Sequence, residues 1–270
     1  MDPSGIDRPT QLTMTLEPPR AATNGLVEPH PTPDASTAEP GAVTPEDQPA
    51  RGWRSRTTLR LLDFSSPGSL GARARLERWN VLTQRFPAMA EWRVLDLGGT
   101  PEAWLAAPVR PRHVLVVNLE RFEDTPDWMT SIAADACDLP ADVRAGTFDF
   151  VYSNSVIEHV GGHDRREHFA ANVRALAPHY WVQTPNRYFP IEPHWMFPGM
   201  QFLPAPARAG VIRHWDPRRA RGTARSRESA LAEALSVELV TKSELEFYFP
   251  DAAMVRERFF GLTKSIVAGR

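Results

Sequence analysis

Between residues 93 and 185, short apolar runs alternate with amphipathic segments. Val94, Leu95 and Leu97 precede an acid and two glycines, and further runs lie at His113–Leu119, Ser131–Ala134, Phe148–Ser153 and Tyr180–Gln183, the last halted by Thr184-Pro185. Runs of this length with little internal alternation read as buried parallel strands. Helices are predicted at Pro101–Ala107 and Arg165–Leu176, with a loop over Asp135–Ala145. Near the end, Lys242–Phe249 reads as a helix, and Met254–Phe260 and Leu262–Val267 as an antiparallel terminal pair. Strands alternating with helices imply right-handed crossovers. The expectation is an α/β fold: a seven-stranded, mainly parallel sheet with helices on both faces.

The pattern is different before this region. Residues 1–50 hold ten of the 26 prolines, few large apolar residues and no periodicity. Such a segment buries too little surface to offset its ordering entropy, so a disordered, Pro-rich acidic tail is expected. Residues 51–87 are basic and are read as an N-terminal helical cap. Their helix runs from about Leu70 to Arg85, with Leu76, Trp79, Val81 and Leu82 on its apolar side. A basic amphipathic helix can lie on nucleic acid or an anionic membrane, but the favoured reading is that it caps the pocket or packs beside the sheet. The remainder, 88–270, is one domain with an Arg-rich insertion near 204–235.

Composition narrows the picture. The net charge of −2 argues against electrostatic capture of nucleic acid by the whole protein, although eight acids against two arginines in residues 1–50 leave the rest mildly basic at +4. Cys137 is the only cysteine, which excludes an internal disulfide and a cysteine-rich zinc site. No run of about 18 apolar residues exists, and MDPSGIDRPT lacks the basic start and apolar stretch of a secretion signal. A cytoplasmic protein without stable membrane insertion is expected.

The chemistry concentrates at WRVLDLGGT, residues 92–100. Asp96 stands at the carboxyl end of a strand and Gly98-Gly99-Thr100 turn into a helix. Ligands of open α/β sheets bind there, where glycine lets backbone approach closely. The phosphate-binding spacings GxGxxG and GxxxxGK[ST] are absent. An acid followed by Gly-Gly suits a ligand with hydroxyls and a positive charge, the character of S-adenosylmethionine.

Taken together, VLDLGGT at 94–100, VVNLE at 116–120, ADACDLP at 134–140, FDFVYSNSVIEHV at 148–160 and YWVQTPN at 180–186 resemble the class I S-adenosylmethionine-dependent methyltransferases, over roughly residues 88–270. QTPNRYFPIEPH and FPDAAMVRERFFGLTKSIVA are similar to a bacterial subgroup whose acceptors are mostly undefined. The resemblance implies a Rossmann-like sheet, S-adenosylmethionine as cofactor and methyl transfer to a small-molecule acceptor at O, N or C. The alternative is a non-catalytic binding or scaffolding protein that keeps the fold.

The same resemblance implies roles for single residues. Asp96, Gly98 and Gly99 line the amino-acid and ribose side of the cofactor. The acid that usually holds the ribose hydroxyls is replaced by Asn118, with Glu120 two residues on as a possible substitute; both stay open. Asp135 and Ala136 meet the adenine, with loop initiation as the plain alternative for Asp135. Ser153 begins the loop that borders the sulfonium. In that loop His159 suits a general base, its ordinary pKa being about 6.5, or else Glu158-His159 only braces the backbone. Some quinone-biosynthesis relatives hold a divalent metal with an ExxEH pattern here. Ser155 stands where its first Glu would be, so no metal is expected.

Residues 184–203, TPNRYFPIEPHWMFPGMQFL, combine aromatic rings with Asn186, Tyr188, Glu192 and His194. Prolines at 185, 190, 193 and 198 forbid a regular helix. The segment is placed to close over an organic acceptor, to pack as a flap without touching one, or to form a patch that touches a membrane or a partner protein. Arginines 208, 213, 218, 219, 221, 225 and 227 either recognise an acidic group on the acceptor or decorate a solvated insertion; no RNA-binding motif accompanies them.

Overall fold

The computed structural model describes residues 13–17, 70–215 and 225–270. Its main sheet is built from β1 (Thr13–Glu17), β2 (Arg93–Leu97), β3 (His113–Asn118), β4 (Met129–Ala133), β5 (Phe150–Asn154), β6 (His179–Pro185), β9 (Ala253–Phe259) and β10 (Leu262–Gly269). They lie in the order β1-β9-β10-β6-β5-β2-β3-β4. Strands β2 to β6 are mutually parallel, while β10 runs antiparallel to both β6 and β9.

The seven expected strands are all present. The eighth, β1, corrects the reading of residues 1–50 as uniformly disordered: it pairs antiparallel with β9 from Thr13↔Arg258 to Glu17↔Met254. The sequence TMTLE alternates in the strand period, and β9 would otherwise be an edge with unsatisfied amides and carbonyls. The rest of 1–50, and residues 51–69 of the expected cap, lie outside the described residues.

Alternation along the strands sorts the core into two faces. Leu95, Leu97, Val117, Val151, Tyr180, Val182, Ile266 and Ala268 point to one face. There α4 (His163–Leu176) and α7 (Lys242–Tyr248) cover them with Phe169, Ala170, Val173, Leu245 and the following Phe249. Val94, Phe150, Trp181, Val255 and Val267 point to the other face. They are covered by Trp79, Leu82 and Phe86 from and just after α1 (Leu70–Arg85). The basic helix is thus a layer on the sheet. Leu82, with no exposed surface, contributes about 2 kcal/mol through burial alone.

Short helices complete the crossovers: α2 (Pro101–Leu105) after the glycine turn, and α3 (Ala141–Arg144) inside the stretch expected to be pure loop. A capping box starts α7, the Thr241 hydroxyl accepting from Glu244 N while the Glu244 carboxylate accepts from Thr241 N.

Beyond β6 the proline-stiffened segment forms a two-residue hairpin, β7 (Ile191–Glu192) with β8 (Phe197–Pro198). The insertion forms α5 (Ala205–His214) and α6 (Arg227–Leu235). Their Ala209, Ile212, Ala230 and Ala234 close a separate small core around Trp195 and Met200. Arg218, Arg219 and Arg221 lie outside the described residues.

Candidate active site

The sheet order reverses at β2, with β3 and β4 on one side and β5 and β6 on the other, so the tips of β2 and β5 flank the crevice. Asp96 lies level with Val116 and Tyr152 on its neighbouring strands and has no exposed surface. Trp79, Trp104 and Tyr152, with centroids 5.3 to 5.5 Å apart, form an aromatic cluster on the same sheet face. The indole of Trp104 donates to Asp96 Oδ2 at 2.6 Å, whereas Oδ1 has no hydrogen-bond partner among the described residues. Burial pushes the Asp96 pKa up to about 7, against the smaller opposite effect of the Trp104 bond.

The glycine turn is shaped by this acid. Gly98 has φ +80°, and a Cβ there would run into Val156. A Cβ at Gly99 would overlap the Asp96 carboxylate itself. Asn118 Nδ2 donates to Gly99 O at 2.8 Å, and Asn118 Oδ1 accepts from Glu120 N at 3.4 Å, so this side chain braces the turn. Glu120 is exposed just beyond the end of β3.

At the tip of β4, Asp135 Oδ1 caps the backbone N–H of Cys137 at 2.8 Å and Oδ2 accepts from Arg165 at 2.6 Å. Desolvation raises the Asp135 pKa, but these bonds outweigh it and the net shift is downward. Ala136 is buried beside it, its carbonyl accepting from Asn172. Ser153 departs from its expected place. It is fully buried and its hydroxyl donates to Leu97 O at 2.9 Å, because the strand period turns it into the sheet interior.

A second cluster forms where the loops after β5 and β6 meet. His159 Nε2 lies 3.1 Å from His194 Nε2, and the rings cross at 85°. His194 Nδ1 is 2.7 Å from Glu192 Oε1, and Glu192 Oε2 accepts from Trp195 N at 2.9 Å; Glu192 is buried. Beneath them Glu158, also buried, accepts from Thr184 Oγ1 at 2.9 Å through Oε2, while Oε1 has no partner among the described residues. Burial pushes the Glu158 pKa up to about 7. The His159 pKa is lowered, by desolvation first and then by His194. Glu158, His159 and His194 each bring one ligating atom to within 4.8 Å of the others.

Of the acceptor candidates, the structure joins His194 and Glu192 to His159 and leaves two aside. Asn186 donates to Thr263 O at 2.9 Å and fastens the loop to β10. Tyr188 is 67 % exposed, stacked on Phe202. A cavity of about 550 Å³ adjoins the cluster, lined by Glu192, Trp195, Gln201, Leu203, Arg187 and Arg208 among others.

Sequence reasoning missed one feature altogether. Arg78, on α1, forms a two-pronged pair with the buried Glu257 of β9 and also donates to Asn154 at the tip of β5. Its pKa is raised, Glu257 outweighing the burial that opposes it. These residues are 179 and 76 positions apart, and no local pattern marks them.

Five parallel strands reversing at β2, closed by an antiparallel pair, define a Rossmann-like fold of the methyltransferase type. Residues 111–182 match the family model of a methyltransferase domain. Over that stretch, about a quarter of its length, the chain is similar to a methyltransferase domain. No curated protein matches the chain. Solved structures to which it is similar include an S-adenosylmethionine-dependent methyltransferase from Mesorhizobium loti, at 18 % identity, TM-score 0.42, over 71 % of this chain and 96 % of that one. Another, from Anabaena variabilis, matches at 12 % identity, TM-score 0.40, over 76 % and 96 %. The chain spans 48 % of the cyclase SpnF, at 15 % identity and TM-score 0.35 over 44 % of its own length. No helix among the described residues is long and apolar enough to cross a membrane.

Proposed function

We propose that this protein transfers the methyl group of S-adenosylmethionine to a small organic acceptor. The observation that carries the reading is the buried Asp96 carboxylate, with one oxygen unpartnered among the described residues beside a turn that admits only glycine. An ammonium satisfies that oxygen by charge and hydrogen bonding, directly or through water. Gly98 and Gly99 offer backbone to the cofactor's amino-acid end. Glu120 is the better placed of the two ribose candidates, since Asn118 is engaged in the turn. Asp135 and the Ala136 backbone address adenine.

When bound, the cofactor supplies an electrophilic methyl on a sulfonium. The protein's part is to hold the acceptor atom in line behind that methyl in a water-poor crevice. The cavity beside Glu192 and Trp195 suits an acceptor with an apolar body, and Arg187 and Arg208 suit an acidic substituent on it. The modest charge of the chain favours such a molecule over nucleic acid. A hydroxyl or amine acceptor loses its proton at His159, which its lowered pKa keeps neutral and able to accept at pH 7.

Calorimetry with S-adenosylmethionine and its demethylated product tests the cofactor half. The expected result is micromolar or tighter binding of both, weakened in Asp135→Ala. No binding would leave a scaffold that only keeps the fold. Profiling of extracts with isotope-labelled methyl donor identifies the acceptor. With that acceptor, His159→Ala should lower turnover by about 10²-fold or more, and unchanged turnover would reduce His159 to a loop brace.

A further inference from the structure

We infer that Glu158, His159 and His194 form a binding site for a first-row divalent cation. The sequence reading disfavoured a metal because Ser155 interrupts the pattern that would supply a carboxylate from the same loop. The fold supplies a third donor from elsewhere: His194, carried 35 residues further on by the β7–β8 hairpin.

Three observations converge. The two Nε2 atoms face one another at 3.1 Å. Two ligands bound about 2.1 Å from one ion lie roughly 3.0 to 3.4 Å apart in octahedral or tetrahedral geometry, so the rings already have the spacing of neighbouring ligands. Glu192 holds Nδ1 of His194 at 2.7 Å, which places that ring's proton on Nδ1 and its lone pair on Nε2, toward His159. Carboxylate–histidine pairs of this kind orient metal-bound imidazoles. Glu158 brings a carboxylate oxygen into the same group, all three ligating atoms falling within 4.8 Å, and its buried Oε1 has no partner among the described residues.

Without an ion, the facing nitrogens need the His159 proton on Nε2, and Glu158 Oε1 stays desolvated with no partner among the described residues. One cation answers both. Two imidazoles and one carboxylate suit zinc, manganese, iron(II) or cobalt rather than calcium or magnesium, and leave coordination positions open on the His159 side, which faces solvent. This inference rests on the methyl-transfer reading at one point: an acceptor oxygen on the cation would lose its proton more readily there, and His159 acts as the base only where the cation is absent.

Cobalt(II) chloride is the probe, added to the full chain after chelator treatment and without a histidine tag. One equivalent should bind, with visible absorption bands. His194→Ala should weaken binding by at least about 100-fold. Glu192→Gln, which keeps all three ligands, should weaken it by about 10- to 100-fold. His168→Ala, at an exposed position outside the cluster, should leave it unchanged. Melting curves taken without cobalt establish that each variant folds. If His194→Ala does not, Glu192→Gln decides. No bands in the parent protein, or equal affinity in the folded variants, overturns the site. Calorimetry with S-adenosylmethionine on the same samples separates the two readings, since loss of cofactor binding with cobalt binding intact would refute methyl transfer alone.

Discussion

The two rims of the crevice are built by different means. On the rim proposed for the cofactor, polar groups sit on or just past the tips of β2, β3 and β4, and strand register places them. Asp96, Gly98, Gly99 and Asn118 constrain one another through bonds within one turn and one neighbouring strand. The rim proposed for the acceptor is assembled from the loop after β5, the hairpin after β6 and the helices α5 and α6. Its key contact joins imidazoles from two separate loops. A sheet supplies precision through the backbone ladder, so the first rim resists change cooperatively. Loops supply precision through side-chain packing, so the second can be altered piece by piece.

If that contrast is right, substitutions tied into the sheet should cost most. Arg78→Met leaves Glu257 buried without its two-pronged partner and should lower stability by about 3 kcal/mol or more, measured by denaturant unfolding. A loss under 1 kcal/mol would mean that the pair adds nothing to the core. Next comes Asp96→Ala, expected to weaken S-adenosylmethionine binding by about 30-fold with the fold kept, the size of one charge-assisted hydrogen bond. Wild-type affinity in the folded variant would remove the acid from the cofactor site.

A smaller effect sharpens the same point through pH. Asp96 titrates near 7 in the folded protein against an ordinary 3.8. Between those values the folded state keeps a proton that the unfolded chain has released, so this group's contribution to stability falls as pH rises from about 4 to 7. An ammonium ligand needs the ionised form, so cofactor affinity should rise about tenfold from pH 6 to pH 8. Asp96→Asn should abolish that slope in calorimetry; a slope that persists belongs to another group. Least of all, Tyr188→Ala on the acceptor side should change stability by less than about 0.5 kcal/mol, because the ring is largely exposed. A larger shift in melting would show that the hairpin depends on its outer stacking.

Much of the sheet was readable because buried parallel strands announce themselves as short apolar runs. β2 spans Arg93–Leu97, coincident with the expected run, and α1 spans Leu70–Arg85 as expected. Strand β1 was not readable, since TMTLE is too short to stand out in a proline-rich stretch and becomes a strand only against the edge of β9. Ser153 and Asn186 illustrate the same limit at the site. Both are polar residues in suggestive motifs, and both are tied to backbone carbonyls by their side chains.

Local chemistry in the chain was enough to establish the α/β class, the acid and glycine turn at the tip of β2, and the histidine in the loop after β5, because strand period and turn geometry are short-range properties. The burial that lifts the Asp96 pKa, the meeting of His159 with His194, and the tie from Arg78 to Glu257 depend on residues distant in the chain. They exist only once packing has brought those residues together and removed the water between them.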